Sequence, residues 1–194
     1  MSDHAGIDVT NVTAWLDAHI EGARGPYTFG LIAGGHSNLT FGVQDAADNH
    51  FVLRRPPLGH VLASAHDMSR EHRIISGLQN SPVPVAPALG FCDDLDVNGA
   101  PFYVMSYVDG NVVHDLDEAR STLSVEARDN ASRSLVDTMA TIHSVDLDAT
   151  GLTDLGRHEG YISRQLKRWY IQWNQGKTRE LEAVDRVHAA LAAR

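Results

Sequence analysis

One cysteine stands among the 194 residues. Cys92 therefore forms no internal disulfide, which fits a reducing compartment, and it is expected to pack as a small apolar side chain rather than react. No apolar run approaches the ~20 residues of a membrane span. The first residues show no basic segment followed by an apolar one, so no secretory signal is expected and the location read from the sequence is cytoplasmic. Positive charge is scarce. There are 16 Lys and Arg against 25 Asp and Glu, a net charge of −9, and the pI is about 5.6. Nucleic acid and anionic membrane are poor partners for such a chain, although a nucleotide can still be held at a local basic site. The 11 histidines include no HExxH and no paired-ligand spacing, so no metal site is expected. Repeats and low-complexity tracts are absent too. What remains, 43% hydrophobic and 21% charged, suits one or two compact units with real cores.

The stretch Ala33-Gly34-Gly35-His36-Ser37-Asn38-Leu39-Thr40-Phe41 organises the chain. Two glycines stand at a turn between apolar runs, where they allow positive φ and close approach of a ligand to the main chain. Ser37 and Asn38 add polar groups, and successive amides in such a turn form an anion-binding concavity suited to phosphate. Phe51-Val52-Leu53-Arg54 then reads as a strand ending in a cation. The pair reads as a lid and a clamp for a nucleotide triphosphate. On these two segments alone, an ordinary hairpin loop and a solvated strand arginine are the favoured reading, and it is the rest of the chain that shifts it.

Along the chain, Asn11 is expected to cap a short helix carrying Val12, Trp15, Leu16, His19 and Ile20 on one face. Strands follow over 27–32, 39–44 and 50–55. In the third, period 2 puts Val52 and Arg54 on one face and Phe51 and Leu53 on the other. A helix is expected over 65–78, with Met68, Ile74, Ile75 and Leu78 on its apolar face. Glu71 falls on that same face, where a carboxylate is costly unless paired. Arg54 is the expected partner, and local pairing with Arg70 or Arg73 is the competing one. A strand over 88–93, an Asn98-Gly99 hairpin turn of type I′ and a return strand over 101–107 complete the sheet. Helices are expected over 124–143, with Ala131, Leu135, Met139 and Ile142 on one face, and over 158–175, with Ile162, Leu166, Trp169, Tyr170 and Trp173 facing inward. A last helix carries Leu181, Val184, Val187 and Leu191. The fold class is thus α+β: a five-stranded antiparallel sheet with one packed helix over 1–107, then the first helices of a helical lobe over 108–194.

The order of these elements, with Phe102-Tyr103-Val104-Met105-Ser106-Tyr107-Val108-Asp109-Gly110 at the end of the sheet, resembles the protein-kinase-like fold. More narrowly, the chain resembles the aminoglycoside phosphotransferase family. The closest branch is similar to the phosphotransferase domains fused to acyl-CoA dehydrogenases in some animals. The 34–41 motif, Phe51-Val52-Leu53-Arg54-Arg55-Pro56-Pro57, Ile142-His143-Ser144-Val145-Asp146 and Gly160-Tyr161-Ile162-Ser163-Arg164-Gln165 with Trp169 and Trp173 carry the likeness. The resemblance implies that Gly34, Gly35, Ser37 and Asn38 cover the phosphates of ATP. Arg54 would stand where kinases usually carry a strand lysine, with Glu71 orienting it. Arginine there is a departure, since a guanidinium binds phosphate bidentately and is bulkier. Met105 would border the adenine pocket, and the main chain at Ser106 and Val108 would bond the adenine edge. Core packing accounts for Met105 equally well. Tyr161, Gln165 and Trp169 would lie near a small hydroxylated acceptor, although an aromatic stripe at helical spacing is more often core.

Phosphoryl transfer in this fold needs a catalytic aspartate, and an Asn and an Asp for magnesium. His143-Ser144-Val145-Asp146 and His114-Asp115-Leu116-Asp117 are followed by no suitably spaced Asn, and Arg128-Asp129-Asn130 falls in an expected helix. The expectation is therefore an N-terminal part of an ATP- and Mg2+-dependent small-molecule phosphotransferase, with no catalytic residue or metal ligand in this chain. A non-catalytic nucleotide-binding or protein-interaction module is the alternative. Exposed apolar helices would favour a homo-oligomer.

Overall fold

The computed structural model describes residues 5–32, 38–59, 66–157 and 159–193. Gly34, Gly35 and Ser37 lie outside them. The chain divides into two units, Met1–Leu152 and Thr153–Arg194.

In the first unit, helix α1 (Val9–His19) leads to strands β1 (Thr28–Leu31), β2 (Leu39–Gln44) and β3 (His50–Arg55). Helix α2 (Met68–Leu78), strand β4 (Ala88–Cys92), a short helical turn α3 (Leu95–Asn98) and strand β5 (Phe102–Ser106) follow. Two more helices, α4 (Leu116–Thr122) and α5 (Val125–His143), complete the described elements of this unit. The five strands form one sheet in the order β1-β2-β3-β5-β4, and every neighbouring pair is antiparallel.

The alternation read from β3 holds, and it separates two different faces. Phe51, Leu53 and Arg55 point to one side, where Phe29, Phe41, Val43, Phe102 and Val104 join Val12, Leu16 and Ile20 of α1 in the main core. Trp15 meets Phe102 edge-on, with ring centroids 4.9 Å apart. Helix α1 is thus the cover of the apolar core. Helix α2 stands against β4 and β5 with only Met68 buried. The sheet therefore carries helices on both sides, where the sequence reading assigned one packed helix.

Arg55 is buried on the core side. It donates from Nε to the Pro56 carbonyl at 3.1 Å and from Nη1 to the Asn98 carbonyl at 3.3 Å and to the Gly6 carbonyl. Desolvation holds its pKa below the usual guanidinium value. Neighbouring arginines on one strand thus face opposite environments, as period 2 requires.

Several local expectations are corrected. Asp8, not Asn11, caps α1: its side chain accepts from the Asn11 amide, because a cap oxygen reaches the amide three residues on. Asp67 does the same for α2, which starts at Met68 rather than Ala65. Asn98-Gly99 is no hairpin turn. Asp94 caps the turn α3, and Gly99, at φ 66°, ends it in the left-handed conformation. A positive-φ glycine serves a helix end as well as a type I′ turn, so that dipeptide alone does not choose between them. Helix α4, capped by Asp115, carries too little apolar periodicity to have been expected. Leu135, Met139 and Ile142 of α5 are exposed.

The second unit holds α6 (Tyr161–Gly176) and α7 (Glu182–Ala192). The Tyr170 hydroxyl donates to Asp185 at 2.7 Å, and its ring stacks on His188 at 3.9 Å. Leu166, Trp173, Val184 and Leu191 help line an apolar groove of about 430 Å³ between the two helices. Ile162 and Trp169, expected to face inward, are 67% and 64% exposed. The two-helix hairpin offers too little surface to cover a stripe that wide.

Candidate functional site

The α2 side of the sheet carries a row of side chains set by register. Thr40 pairs with Arg54, Arg54 with Tyr103, and Tyr103 with Phe91. Helix α2 lowers Glu71 and His72 onto this row. The Arg54 Nε lies 2.9 Å from Glu71 Oε2, each side chain about one-third exposed at 33% and 32%. That nitrogen is buried and its N–H is not aimed at the carboxylate, so the contact is one of charge rather than a directed hydrogen bond. Among the described residues the two η nitrogens of Arg54 make no hydrogen bond.

Glu71 is held by more than Arg54. Asn38 donates from Nδ2 to its Oε1 at 2.8 Å, and the Tyr103 hydroxyl donates to its Oε2 at 3.1 Å. Asn38 is itself buried, with its Oδ1 2.6 Å from His66 Nδ1. Burial first, and then the Glu71 charge, push the Tyr103 phenol well above its usual pKa, so it remains a donor across the physiological range. Arg73 does not pair with Glu71; it donates to the Gly151 carbonyl at 2.9 Å.

His72 stacks on Phe91, ring centroids 5.4 Å apart, and its Nε2 lies 3.3 Å from the Ser76 hydroxyl. Desolvation lowers its pKa from the ordinary 6.5. The unfolded chain therefore takes up this proton before the folded one does. The His72 contribution to stability is complete above pH 6.5, and it falls as the pH drops from there toward the folded value. Thermal melting between about pH 7 and pH 5 is expected to show a decline that His72→Phe flattens. Parallel profiles for the two proteins would rule this out.

At the other end of the sheet, Met105 is half-buried on β5, beside Val52 and Ala88. The Ser106 amide donates to the Pro87 carbonyl at 2.9 Å. In an antiparallel ladder that bond is returned by the partner's N–H, but proline has none. The Ser106 carbonyl is thereby left without its ladder donor. Val108 follows two residues on and is 67% exposed.

The sequence-derived residues thus divide. Asn38, Arg54 and Glu71 meet in one cluster, and Met105, Ser106 and Val108 line the end of β5. Tyr161, Gln165 and Trp169 belong to the second unit, where Tyr161 and Trp169 are exposed and Gln165 is half-buried. Sequence reasoning missed Tyr103, His66 and His72. Tyr103 shares the strand and parity of Met105, and that was the available signal. Its meeting with Glu71 depends on a register that no local pattern states.

A strand cation beside a helix carboxylate, on a five-stranded antiparallel sheet, defines a kinase-like phosphotransferase fold, and the chain belongs to the phosphotransferase enzyme family, whose model matches residues 28–194. Among curated proteins it is similar to Acyl-CoA dehydrogenase family member 10 of Mus musculus, 34% identical over 177 residues, which are 89% of this chain and 16% of that protein. It is also similar to family member 11 of Rattus norvegicus, 31% identical over 186 residues, 93% of this chain and 23% of that protein. A solved structure of a putative aminoglycoside phosphotransferase from Ralstonia eutropha matches 96% of this chain and 53% of its own, at 30% identity and a TM-score of 0.78. The chain thus spans less than a quarter of these curated relatives and about half of that structure. Among the described residues no helix is long and apolar enough to cross a membrane.

Proposed function

We propose that this chain holds ATP through its sheet, as the nucleotide-binding part of a phosphotransferase that moves the γ-phosphoryl group to a hydroxyl of a small molecule. The observation that carries the reading is Arg54. Its Nε is committed beside Glu71 while both η nitrogens are left for another acceptor. A guanidinium fork with two unused donors matches two phosphate oxygens. The Ser106 carbonyl would accept from the adenine amino group, the Val108 amide would donate to the ring, and Met105 would form the pocket wall. Gly34, Gly35 and Ser37 are assigned to the phosphates from the sequence.

ATP supplies the phosphoryl group, and its magnesium neutralises the charge that moves with it. We assign the catalytic base and the magnesium ligands to no residue of this chain, as read from its sequence motifs. The division into 1–107 and 108–194 is retained as a functional one, because the last strand ends at Ser106. Tyr161, Gln165 and Trp169 remain the candidates for contact with the acceptor.

One observation favours a second reading, a partner-binding module: Ile162, Trp169 and Val187 expose apolar surface on α6 and α7. Thermal shift separates the two. At ~100 times its dissociation constant, a ligand stabilises the native state by roughly 2.7 kcal/mol. ATP and ADP are expected to raise the melting temperature, with ATP acting even when magnesium is chelated. No shift with any nucleotide would leave the partner-binding reading ahead.

A further inference from the structure

The nucleotide-binding reading assigns a role to Arg54 but leaves unexplained why so many groups crowd its partner. Both carboxylate oxygens of Glu71 are occupied: Oε1 by Asn38, and Oε2 by Tyr103 together with Arg54. An arginine facing an open carboxylate prefers the fork-to-fork pair, in which two of its nitrogens bind the two oxygens in parallel. That geometry would spend the fork on Glu71. Here Asn38 holds one oxygen and the Tyr103 hydroxyl crowds the other, and Arg54 meets Oε2 only by the charge contact at Nε, with no directed hydrogen bond.

We propose that Tyr103 and Asn38 are positioning residues of the nucleotide grip. They hold the Glu71 carboxylate in an orientation that admits only the Arg54 Nε, and so keep both η nitrogens turned to the phosphates. The inference rests on the nucleotide-binding reading above. It also changes the role of Asn38. That side chain is 5% exposed and bonded at both ends, to Glu71 and to His66, so it acts on the carboxylate rather than on the phosphates.

Packing alone does not account for the phenol. A phenylalanine at 103 would fill the same space between Arg54 and Phe91 and would keep the neighbouring His72 ring, at 6.2 Å. Only the hydroxyl reaches Glu71. Tyr103→Phe is therefore a nearly isosteric test, and Asn38→Ala probes the same carboxylate from its other oxygen.

Calorimetric titration of the full chain with ATP and, separately, with adenosine reads the effect. Each substitution is expected to weaken ATP binding by about 5-fold, the loss of one modest hydrogen bond, and to leave adenosine binding unchanged, because adenosine has no phosphate for Arg54 to meet. In an Arg54→Met background, Tyr103→Phe should have no further effect on ATP, since residues acting through one another are not additive. Equal losses for ATP and adenosine would mean a merely structural role and would overturn the inference. So would a Tyr103→Phe effect that persists in full without Arg54, or unchanged ATP binding in both single variants. If the unaltered protein binds no ATP, the nucleotide reading itself fails and the positioning role falls with it. If it binds ATP in an Arg54-dependent way and only the Tyr103 and Asn38 results disagree, the reading stands and this inference alone is lost.

Discussion

Arg54→Met is expected to weaken ATP binding by about 100-fold while adenosine binding stays as it was. The two η nitrogens of Arg54 would each give a charge-assisted hydrogen bond to a phosphate oxygen. Such bonds are worth about 1.5–3 kcal/mol each, and every ~1.4 kcal/mol is a factor of ten in affinity. Two bonds at the lower end of that range set the estimate. Methionine keeps most of the aliphatic stem and removes the donors. It also leaves Glu71 beside Asn38 and Tyr103 without a cation, so melting temperature must be followed in parallel, and the adenosine control separates a damaged fold from a lost phosphate contact. Full retention of ATP affinity would remove Arg54 from the site, and with it the single observation on which the functional reading stands. Arg54→Lys should fall in between, since one ammonium replaces a planar fork and cannot both stay beside Glu71 and bond two phosphate oxygens in the same arrangement.

Phe102→Ala is expected to cost the fold about 3–5 kcal/mol, the usual range for removing a buried phenyl ring. Phe102 is fully buried at 0% exposure and takes the edge contact from Trp15. It therefore joins α1 to the middle of the sheet. Set against the 5–15 kcal/mol that typically holds a domain together, such a loss should move the urea midpoint sharply at an unchanged slope. A change under about 1 kcal/mol, within what a tolerated core swap costs, would show that α1 does not cover the sheet as described.

The sequence carried the sheet well. The alternation in 50–55 separated Arg54 from Arg55, and a buried-face glutamate on the next helix called for a cation close by. Both are consequences of period: 2 along a strand and 3.6 along a helix place side chains without reference to the rest of the chain. Boundaries failed where two local signals compete. Asp8 and Asn11 are both competent caps, and the chain uses the one whose oxygen lies three residues before a free amide. Asn98-Gly99 suits a hairpin turn and a helix end alike, and Asp94, upstream, decides for the helix. Trp169 carries a helical stripe that reads as core, yet a stripe records only which face is apolar and not what covers it.

By itself, then, the amino-acid order determined the five strands, the opposed faces of Arg54 and Arg55, and the demand that Glu71 find a partner. Each is a property of neighbours a few residues apart. Tertiary structure alone decided that Tyr103 stands opposite Arg54, that Asn38 turns to Glu71, and that α1 rather than α2 closes the apolar core. Asn38 and Glu71 stand 33 residues apart, and Arg54 and Tyr103, paired across β3 and β5, stand 103 − 54 = 49 apart; bringing such positions together is settled by strand register and by which helix buries the larger apolar face, quantities that exist only once the sheet has assembled.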